Sequence, residues 1–170
     1  SNGGVMAVDT ACRLPVRTAL SGPAAGVIAA AYIAKSAGFY NVITGDMGGT
    51  SFDVSLIAGG QSRLSAQTSI DFGMVIRATM IEITTIGAGG GSIAWVDKGG
   101  LLNIGPESAG SDPGPVSYGL GNDRPTVTDA NVVLGRIDPE NPMGGKLERL
   151  DVIAAQKAID EHVGVPLGLD

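Results

Sequence analysis

Cysteine, histidine and tryptophan occur once each in the chain, as Cys12, His162 and Trp95. A single cysteine excludes an internal disulfide and fits a reducing compartment. A single histidine excludes a histidine-rich metal site. It also leaves Ser-His-Asp chemistry without a base, because His162 falls in a C-terminal amphipathic segment. Basic residues are few: 11 Lys and Arg against 17 Asp and Glu, for a formal net charge of −6. They form no cluster, so nucleic acid is not an expected partner. The one long apolar stretch, residues 24–34, is too short and too rich in alanine to span a bilayer. No secretory signal is visible, so the expected location is cytoplasmic, with no membrane partner. An initiator methionine is missing as well. The opening Ser1-Asn2-Gly3-Gly4 and the ending Val165-Pro166-Leu167-Gly168-Leu169-Asp170 read as the edges of a piece of a longer chain.

What is present is a globular composition, with 44% hydrophobic and 16% charged residues, enough for one domain or two small lobes with a sizeable core. Glycine is abundant, 27 of 170 residues, against an average of about 7%. The glycines cluster at turns with no G-X-Y period, which makes them backbone devices rather than low complexity.

The chain is organised around Asp46-Met47-Gly48-Gly49-Thr50-Ser51-Phe52-Asp53, between the β-prone runs 40–43 and 54–57. The pattern predicts strand, tight turn, strand. Two glycines permit close backbone approach. Thr50 and Ser51 add hydroxyls, and a carboxylate stands at each end. Backbone N–H groups and hydroxyls bind anions, and carboxylates hold Mg²⁺ directly or through water, so the turn suits a phosphate and its metal ion. It is not a P-loop, lacking the Gly-Lys-Ser/Thr ending, and no helix follows it at Rossmann spacing.

Around it, residues 6–14 read as a short helix and 16–20 as a short strand or extended lead-in. Ser21 is the expected N-cap of a helix over 23–36, with Gly38 as its stop. That helix is small and apolar, suited to close packing on a sheet, and Ser21 with Gly22 could present an anion-binding N-terminus. Gly59-Gly60 closes a second turn, and residues 61–67 are expected to return antiparallel. Residues 74–86 predict one or two strands. Residues 92–96 and 101–104 predict a hairpin, in which Trp95 reads as a core or interface residue. Residues 106–115 form a stiff proline- and glycine-rich loop. Thr128 or Asp129 is the expected cap of a short helix stopped by Gly135. Residues 138–142 are a turn-rich connection, and 151–163 an amphipathic helix with Val152, Ile153, Ala155, Ala158, Ile159 and Val163 inward.

Four glycines within residues 87–91 cost backbone entropy, so either the strand connection bends sharply or something approaches the backbone closely. Paired with the first turn, they suggest a nucleotide pinned between two glycine-rich surfaces. Asp112 and Asp129 are candidate carboxylates for metal or acid–base work, or else a turn-former and a helix cap. Cys12 reads as a buried structural thiol, with no base nearby to activate it.

Six blocks in order carry a resemblance: Ser1-Asn2-Gly3-Gly4, Leu20-Ser21-Gly22-Pro23-Ala24-Ala25-Gly26, Asp46-Met47-Gly48-Gly49-Thr50-Ser51, Thr85-Ile86-Gly87-Ala88-Gly89-Gly90-Gly91-Ser92, Ala109-Gly110-Ser111-Asp112-Pro113-Gly114-Pro115 and Pro125-Thr126-Val127-Thr128-Asp129-Ala130-Asn131. Together they cover nearly the whole chain, and it resembles the hydantoinase A/5-oxoprolinase family, which includes N-methylhydantoinase A-type subunits and a related acetone carboxylase subunit. The resemblance implies an α/β fold with α+β character. It is the actin-like, or sugar-kinase-like, ATPase fold, and the chain corresponds to a second-lobe portion with a mixed sheet and antiparallel hairpins. Residues 1–170 would be part of one ATPase domain, and the first phosphate-binding segment of the family is not in this piece.

On that reading the cofactors are ATP and Mg²⁺ (or Mn²⁺). Gly48, Gly49, Thr50 and Ser51 hold phosphates, with Gly89, Gly90, Gly91 and Ser92 as a second nucleotide-contact loop. Asp46 orders the metal, Asp53 orients the turn or a metal water, and Asp112 is a third catalytic candidate. The implied reaction phosphorylates the amide oxygen of a hydantoin or 5-oxoproline ring, which water then opens. The implied partners are the rest of the parent chain, a hydantoinase B-type second subunit or domain, and a small cyclic amide. Thr84 stands where carboxylase-type members carry histidine, and Ser117 where relatives carry cysteine, which favours the hydrolase branch. The alternatives are a half-site scaffold lobe that docks a partner subunit and is inactive alone, or a subunit of an ATP-dependent acetone-type carboxylase. A sugar kinase shares only the phosphate turn.

Overall fold

The computed structural model describes residues 2–69, 73–143 and 147–169. It divides into two compact units, Ser1–Asp46 with Asp53–Thr85, and Met47–Phe52 with Ile86–Asp170. The glycine turn therefore belongs to the second unit, although both runs that flank it belong largely to the first.

The first unit begins with α1 (Val8–Arg13), a 3-10 turn over Pro15–Thr18 and α2 (Ser21–Ser36). The stretch expected as a strand at residues 16–20 is this 3-10 turn, because Pro15 presets a helical φ at its first position. The expected cap at Ser21 is also corrected. Ser21 is already helical, and the N-cap is Leu20, held in the left-handed region at φ 55° with no side-chain cap bond. Four strands form one sheet: β1 (Val42–Met47), β2 (Phe52–Ala58) and β3 (Gln61–Ser62) in that order, with β8 (Thr84–Ile86) also on β2. Gly59 and Gly60 sit at φ 60° and 76°, the mirror-turn geometry that suits a tight hairpin and that only glycine adopts freely.

Beyond that turn the chain forms short antiparallel pairs. β4 (Leu64–Ser65) pairs β7 (Met80–Ile81), and β5 (Thr68–Ser69) pairs β6 (Val75–Ile76). The strand signal over 74–86 is thus spent on three pieces of two or three residues. The core of this unit is Ala24, Val27, Ile57 and Ile81, with Ala31, Val42 and Ile83 packed against it. The small residues of α2 let that helix lie close to the sheet on one side. Its other side, with Ile28, Tyr32 and Ile33, is exposed. Cys12 is also exposed, contrary to the expected buried thiol, because α1 buries no residue. By length and composition the run Pro15–Ser36 could cross a membrane, with mean hydropathy 1.2. Its continuous α-helix is 16 residues, about 24 Å against a hydrocarbon thickness of about 30 Å.

The second unit is built on a hairpin and two packed helices. β9 (Ser92–Val96) and β10 (Leu102–Ser108) pair antiparallel, with Leu102 opposite Val96, and the register slips between Ile104 and Ser108. Asp97 closes their turn by accepting the N–H groups of Leu101 (3.0 Å) and Gly99 (2.8 Å), and the Leu101 bond above all holds its carboxyl below the usual range. Trp95 is 44% exposed, and its indole N–H donates to Gly105 O at 2.8 Å, so it rests on the hairpin's own edge. A 3-10 turn at Val116–Tyr118 leads to α3 (Val127–Val133). Its cap is Thr126 in a reciprocal capping box with Asp129, not Thr128 or Asp129. α4 (Val152–Ile159) starts at the cap Asp151, then widens through a π turn at Asp160–Gly164 into α5 (Val165–Leu167). Ala155 and Ala158 of α4 are buried where the helix packs against α3, whereas Ile153, expected inward, is 83% exposed.

Candidate functional site

The Met47–Phe52 turn is shaped by one internal bond, Gly48 N–H to Ser51 O at 2.9 Å. Gly49 and Thr50 are exposed and Ser51 is half-buried. Among the described residues, the N–H groups of Gly49, Thr50 and Ser51 donate to no protein acceptor. Consecutive uncommitted N–H groups on a tight turn are the elements of an anion-binding nest.

The second glycine cluster lies directly against this turn. Gly89 N–H donates to Thr50 O at 3.2 Å, Gly90 N–H to Gly48 O at 2.8 Å, and Gly91 N–H to Gly49 O at 2.7 Å. Ser92 is buried, donates its N–H to Gly89 O and accepts Gly89 N–H on its hydroxyl at 3.0 Å. All four N–H groups of the expected nucleotide-contact loop at residues 89–92 are therefore engaged inside the protein, and so is that of Gly48, which was expected to hold phosphate but donates to Ser51 O. Steric demand explains the glycines there. A Cβ on Gly89 would lie 2.5 Å from Ser51 N, one on Gly90 2.8 Å from Thr128 Oγ1, and one on Gly91 2.9 Å from Ser108 Oγ. At Gly89 the obstacle is the backbone of the first loop itself, whereas at Gly90 and Gly91 the nearest atoms are side-chain hydroxyls of other segments. Gly48 and Gly49 differ: among the described residues, a Cβ on Gly48 meets nothing nearer than 3.6 Å, and one on Gly49 nothing within 4 Å.

The turn forms one wall of a groove of about 640 Å³ that lies wholly within the second unit. Gly48, Gly49, Thr50, Gly90 and Gly91 line one part of it. Ser111, Thr128, Asn131 and Tyr118 supply polar groups, and Ile137, Pro142, Met143, Leu147 and Leu150 supply an apolar portion. The volume lies in the range of small-molecule sites, about 300–1,000 Å³, and so does the combination of an apolar lining with a few polar groups. The sequence reading missed Tyr118, Asn131 and the apolar portion. Ser111 lies in a loop whose sequence marks stiffness and one block of the resemblance, but no role for its hydroxyl. The four-residue Thr126 to Asp129 spacing was a legible sign of the capping box that carries Thr128 into the groove.

The candidate carboxylates lie in different environments. Asp46 is exposed, its Oδ2 beside Gly26 of α2, where an added Cβ would stand 3.5 Å away. Asp53 is half-buried and accepts Thr85 Oγ1 at 2.6 Å. Asp112 is exposed, next to groove-lining Ser111 but itself outside the lining. Asp129 is fully buried and accepts four hydrogen bonds, so it is satisfied inside the protein rather than offered to a ligand. No three His, Cys, Asp or Glu side chains converge among the described residues. A Mg²⁺ ion does not need such a cage, since one or two carboxylates, water and substrate phosphates commonly hold it. Asp46 and Asp53 are carboxylates of the type such a site uses.

The fold and the groove define a mixed α/β protein with antiparallel hairpins, of the kind seen as one segment of two ATP-dependent enzymes. The crystal structure of ATP-dependent caprolactamase from Pseudomonas jessenii matches with a TM-score of 0.73 at 48% identity, over 88% of this chain and 21% of that one. Nucleotide-free acetone carboxylase matches with a TM-score of 0.70 at 33% identity, over 85% of this chain and 20% of that one. The hydantoinase/oxoprolinase family model matches residues 1–170, and the chain belongs to that family. It is 46% identical over 155 residues to the acetophenone carboxylase gamma subunit of Aromatoleum aromaticum, covering 91% of this chain and 21% of that one. It is 44% identical over 169 residues to the caprolactamase alpha subunit of Pseudomonas jessenii, covering 99% of this chain and 24% of that one. The chain thus spans about a quarter or less of the length of these relatives.

Proposed function

We propose that the protein to which this segment belongs is an ATP-dependent cyclic amide hydrolase, acting on a hydantoin, 5-oxoproline or similar ring, and that the groove of the second unit receives the nucleotide. One observation carries the reading. Among the described residues no protein atom crowds a side chain at Gly48 or Gly49, and on their turn Gly49 and Thr50 bring uncommitted N–H donors to the edge of a ligand-sized groove. A ligand that must approach the backbone closely is the remaining reason for them. The family and the ATP-dependent caprolactamase among its solved structures support the choice of reaction.

When bound, ATP supplies the phosphoryl group that makes the ring amide susceptible to water. This chain's residues hold and orient. Gly49, Thr50 and Ser51 donate N–H and hydroxyl hydrogen bonds to phosphate oxygens. Gly89, Gly90 and Gly91 brace the turn, their N–H groups fastening its carbonyls so that its own donors keep one arrangement. The apolar portion of the groove takes the nucleoside end. Asp46 is the carboxylate for Mg²⁺ (or Mn²⁺), Asp53 orients the turn or a metal water, and Asp112 stands ready beside Ser111. The remainder of the parent chain and a hydantoinase B-type partner complete a cytoplasmic enzyme, and the relatives described as gamma and alpha subunits support such an assembly.

The identity to an acetophenone carboxylase subunit favours a second reading, in which the same groove serves ATP-dependent ketone carboxylation. In either case the segment alone is a scaffold with half of a site.

The test uses the full-length protein with its partner subunit, Mg-ATP and a panel of hydantoin, 5-oxoproline and caprolactam, beside acetone and acetophenone with bicarbonate. The expected outcome is phosphate release matched by ring-opened acid, reduced about a hundredfold or more by Asp46→Asn. Carboxylated ketone instead of ring-opened acid selects the second reading. Absence of ATP turnover with every compound removes both.

A further inference from the structure

Asp129 does more than a helix cap requires. A capping box needs its fourth residue only to reach back to the N-cap backbone. Asp129 does this, with Oδ2 accepting Thr126 N–H and Thr126 Oγ1–H, each at 2.9 Å. Its N–H returns to Thr126 Oγ1 at 3.3 Å. The same carboxylate also reaches a different segment, accepting Ser117 N–H on Oδ1 at 2.8 Å and Val116 N–H on Oδ2 at 3.1 Å. It is 0% exposed, so no water takes over any of these four donors when it is altered.

Those bonds join two walls of the groove. Val116 and Ser117 lie between the groove-lining Pro115 and Tyr118, and the first turn of α3 carries groove-lining Thr128. From there the connection reaches the glycine turn. Thr128 N–H donates to Gly90 O at 2.8 Å, and Gly90 N–H donates to Gly48 O at 2.8 Å. Three short links thus connect a buried carboxylate to the turn without a flexible side chain after the first.

We propose that Asp129 is a positioning residue for the nucleotide phosphates: its carboxylate holds the 116–117 loop and α3 together and, through Thr128 and Gly90, sets the placement of the Gly48–Gly49 turn. The assignment rests on the nucleotide reading of the groove. Asp129→Asn keeps shape and size but replaces one acceptor oxygen with an NH₂ group, which turns a donor toward donors already present. A residue that only capped α3 would alter melting and leave phosphate affinity alone.

The experiment uses the full-length protein with its partner subunit, and the probes are Mg-ATP and Mg-ADP titrated by calorimetry below the melting midpoint of each variant. For Asp129→Asn the expected result is a rise of tenfold or more in both dissociation constants. The KM for ATP rises by the same factor, and the KM for the ring substrate stays within twofold of wild type. Thr126→Val removes one of the four donors and one return bond, and is expected to weaken Mg-ATP by at least threefold. Thr126→Ser retains the hydroxyl and is expected to match wild type within twofold. Asp129→Asn that melts cooperatively yet binds both nucleotides within twofold of wild type overturns the assignment. So does a parallel rise in both KM values, which marks a generally loosened fold. If Asp129→Asn does not fold, Thr126→Val decides, since folded protein with unchanged Mg-ATP affinity overturns the assignment and selective weakening supports it. Failure of the wild-type protein to bind Mg-ATP overturns the nucleotide reading itself, and the role of Asp129 falls with it.

Discussion

Five glycines in two touching loops look alike in the sequence and differ in kind once their surroundings are known. Gly89 leaves no room for a side chain, its Cβ falling 2.5 Å from Ser51 N, and Gly90 and Gly91 are crowded by the hydroxyls of Thr128 and Ser108. Gly49 has open space where its side chain would be. Alanine substitution therefore separates stability from binding. Gly89→Ala forces backbone against backbone and is expected to lower the unfolding free energy by about 1–3 kcal/mol or more, read by denaturant titration of the full-length protein. Gly49→Ala is expected to change stability by no more than about 0.5 kcal/mol, as for an open surface position. It should nonetheless weaken Mg-ATP tenfold or more, because the methyl group occupies the space a phosphate needs. Equal stability losses in the two variants would remove the distinction. Both clusters were legible as places where backbone comes close to something. That one meets protein and the other open space could not be read from residue types, since glycine is the answer to both demands.

At the scale of elements, β10 is clipped to the segment leading into α3 by a forked ion pair, with Arg124 Nη1 and Nη2 donating to Glu107 Oε2 and Oε1 at 2.8 and 2.6 Å. The Arg124 hydrogen bonds, then its charge, hold the Glu107 carboxyl below the ordinary range, and Glu107 raises the guanidinium in turn. A carboxylate whose folded pKa is depressed contributes stability above its unfolded value and loses it as pH falls through the folded value. The contribution is therefore complete at neutral pH and fades below about pH 4.3, the ordinary value for glutamate. Glu107→Gln should melt slightly below wild type at pH 7, and the gap should close on acidification past that value. Both side chains are substantially exposed, so the gap is small and should shrink further in high salt. A gap that widens toward acid pH would contradict the assignment. The existence of most elements followed from local signals, among them the hairpin glycines and the apolar periodicity of α4. The start of α2 did not, because the left-handed Leu20 ahead of it has no sequence marker. The break-up of residues 74–86 into short strands was equally hidden. Propensity says that a residue suits a strand, whereas pairing partners decide how long the strand lasts.

At the scale of the whole molecule, the boundary between the two units passes through the organising turn and leaves its six residues with the second unit. Amide hydrogen exchange along the full-length chain tests what that assignment means for nucleotide binding. The N–H groups of residues 89–92 are bonded inside the protein and are expected to exchange slowly with or without Mg-ATP. Those of residues 49–51 are expected to exchange freely in the absence of nucleotide and to slow when it is added. Protection appearing at 89–92 instead would exchange the roles of the two loops. The family was readable from six short blocks because each is rich in glycine, proline or small polar residues that few backbone paths accept. The groove was only half readable, because Tyr118, Asn131 and apolar residues such as Ile137, Leu147 and Leu150 have no special chemistry until folding brings them to the groove.

The sequence by itself determined the family, the mixed α/β class and the two glycine loops, since these follow from residue type and local spacing. Only the tertiary structure decided which glycines brace and which remain open, that Asp129 is an internal fastening rather than a ligand, and that the turn lines a groove in the second unit. The physical reason is common to all three. Whether an N–H group, a carboxylate or the space beside a glycine is free depends on what the rest of the chain places within about 3 Å of it, and that is settled by contacts between residues tens of positions apart.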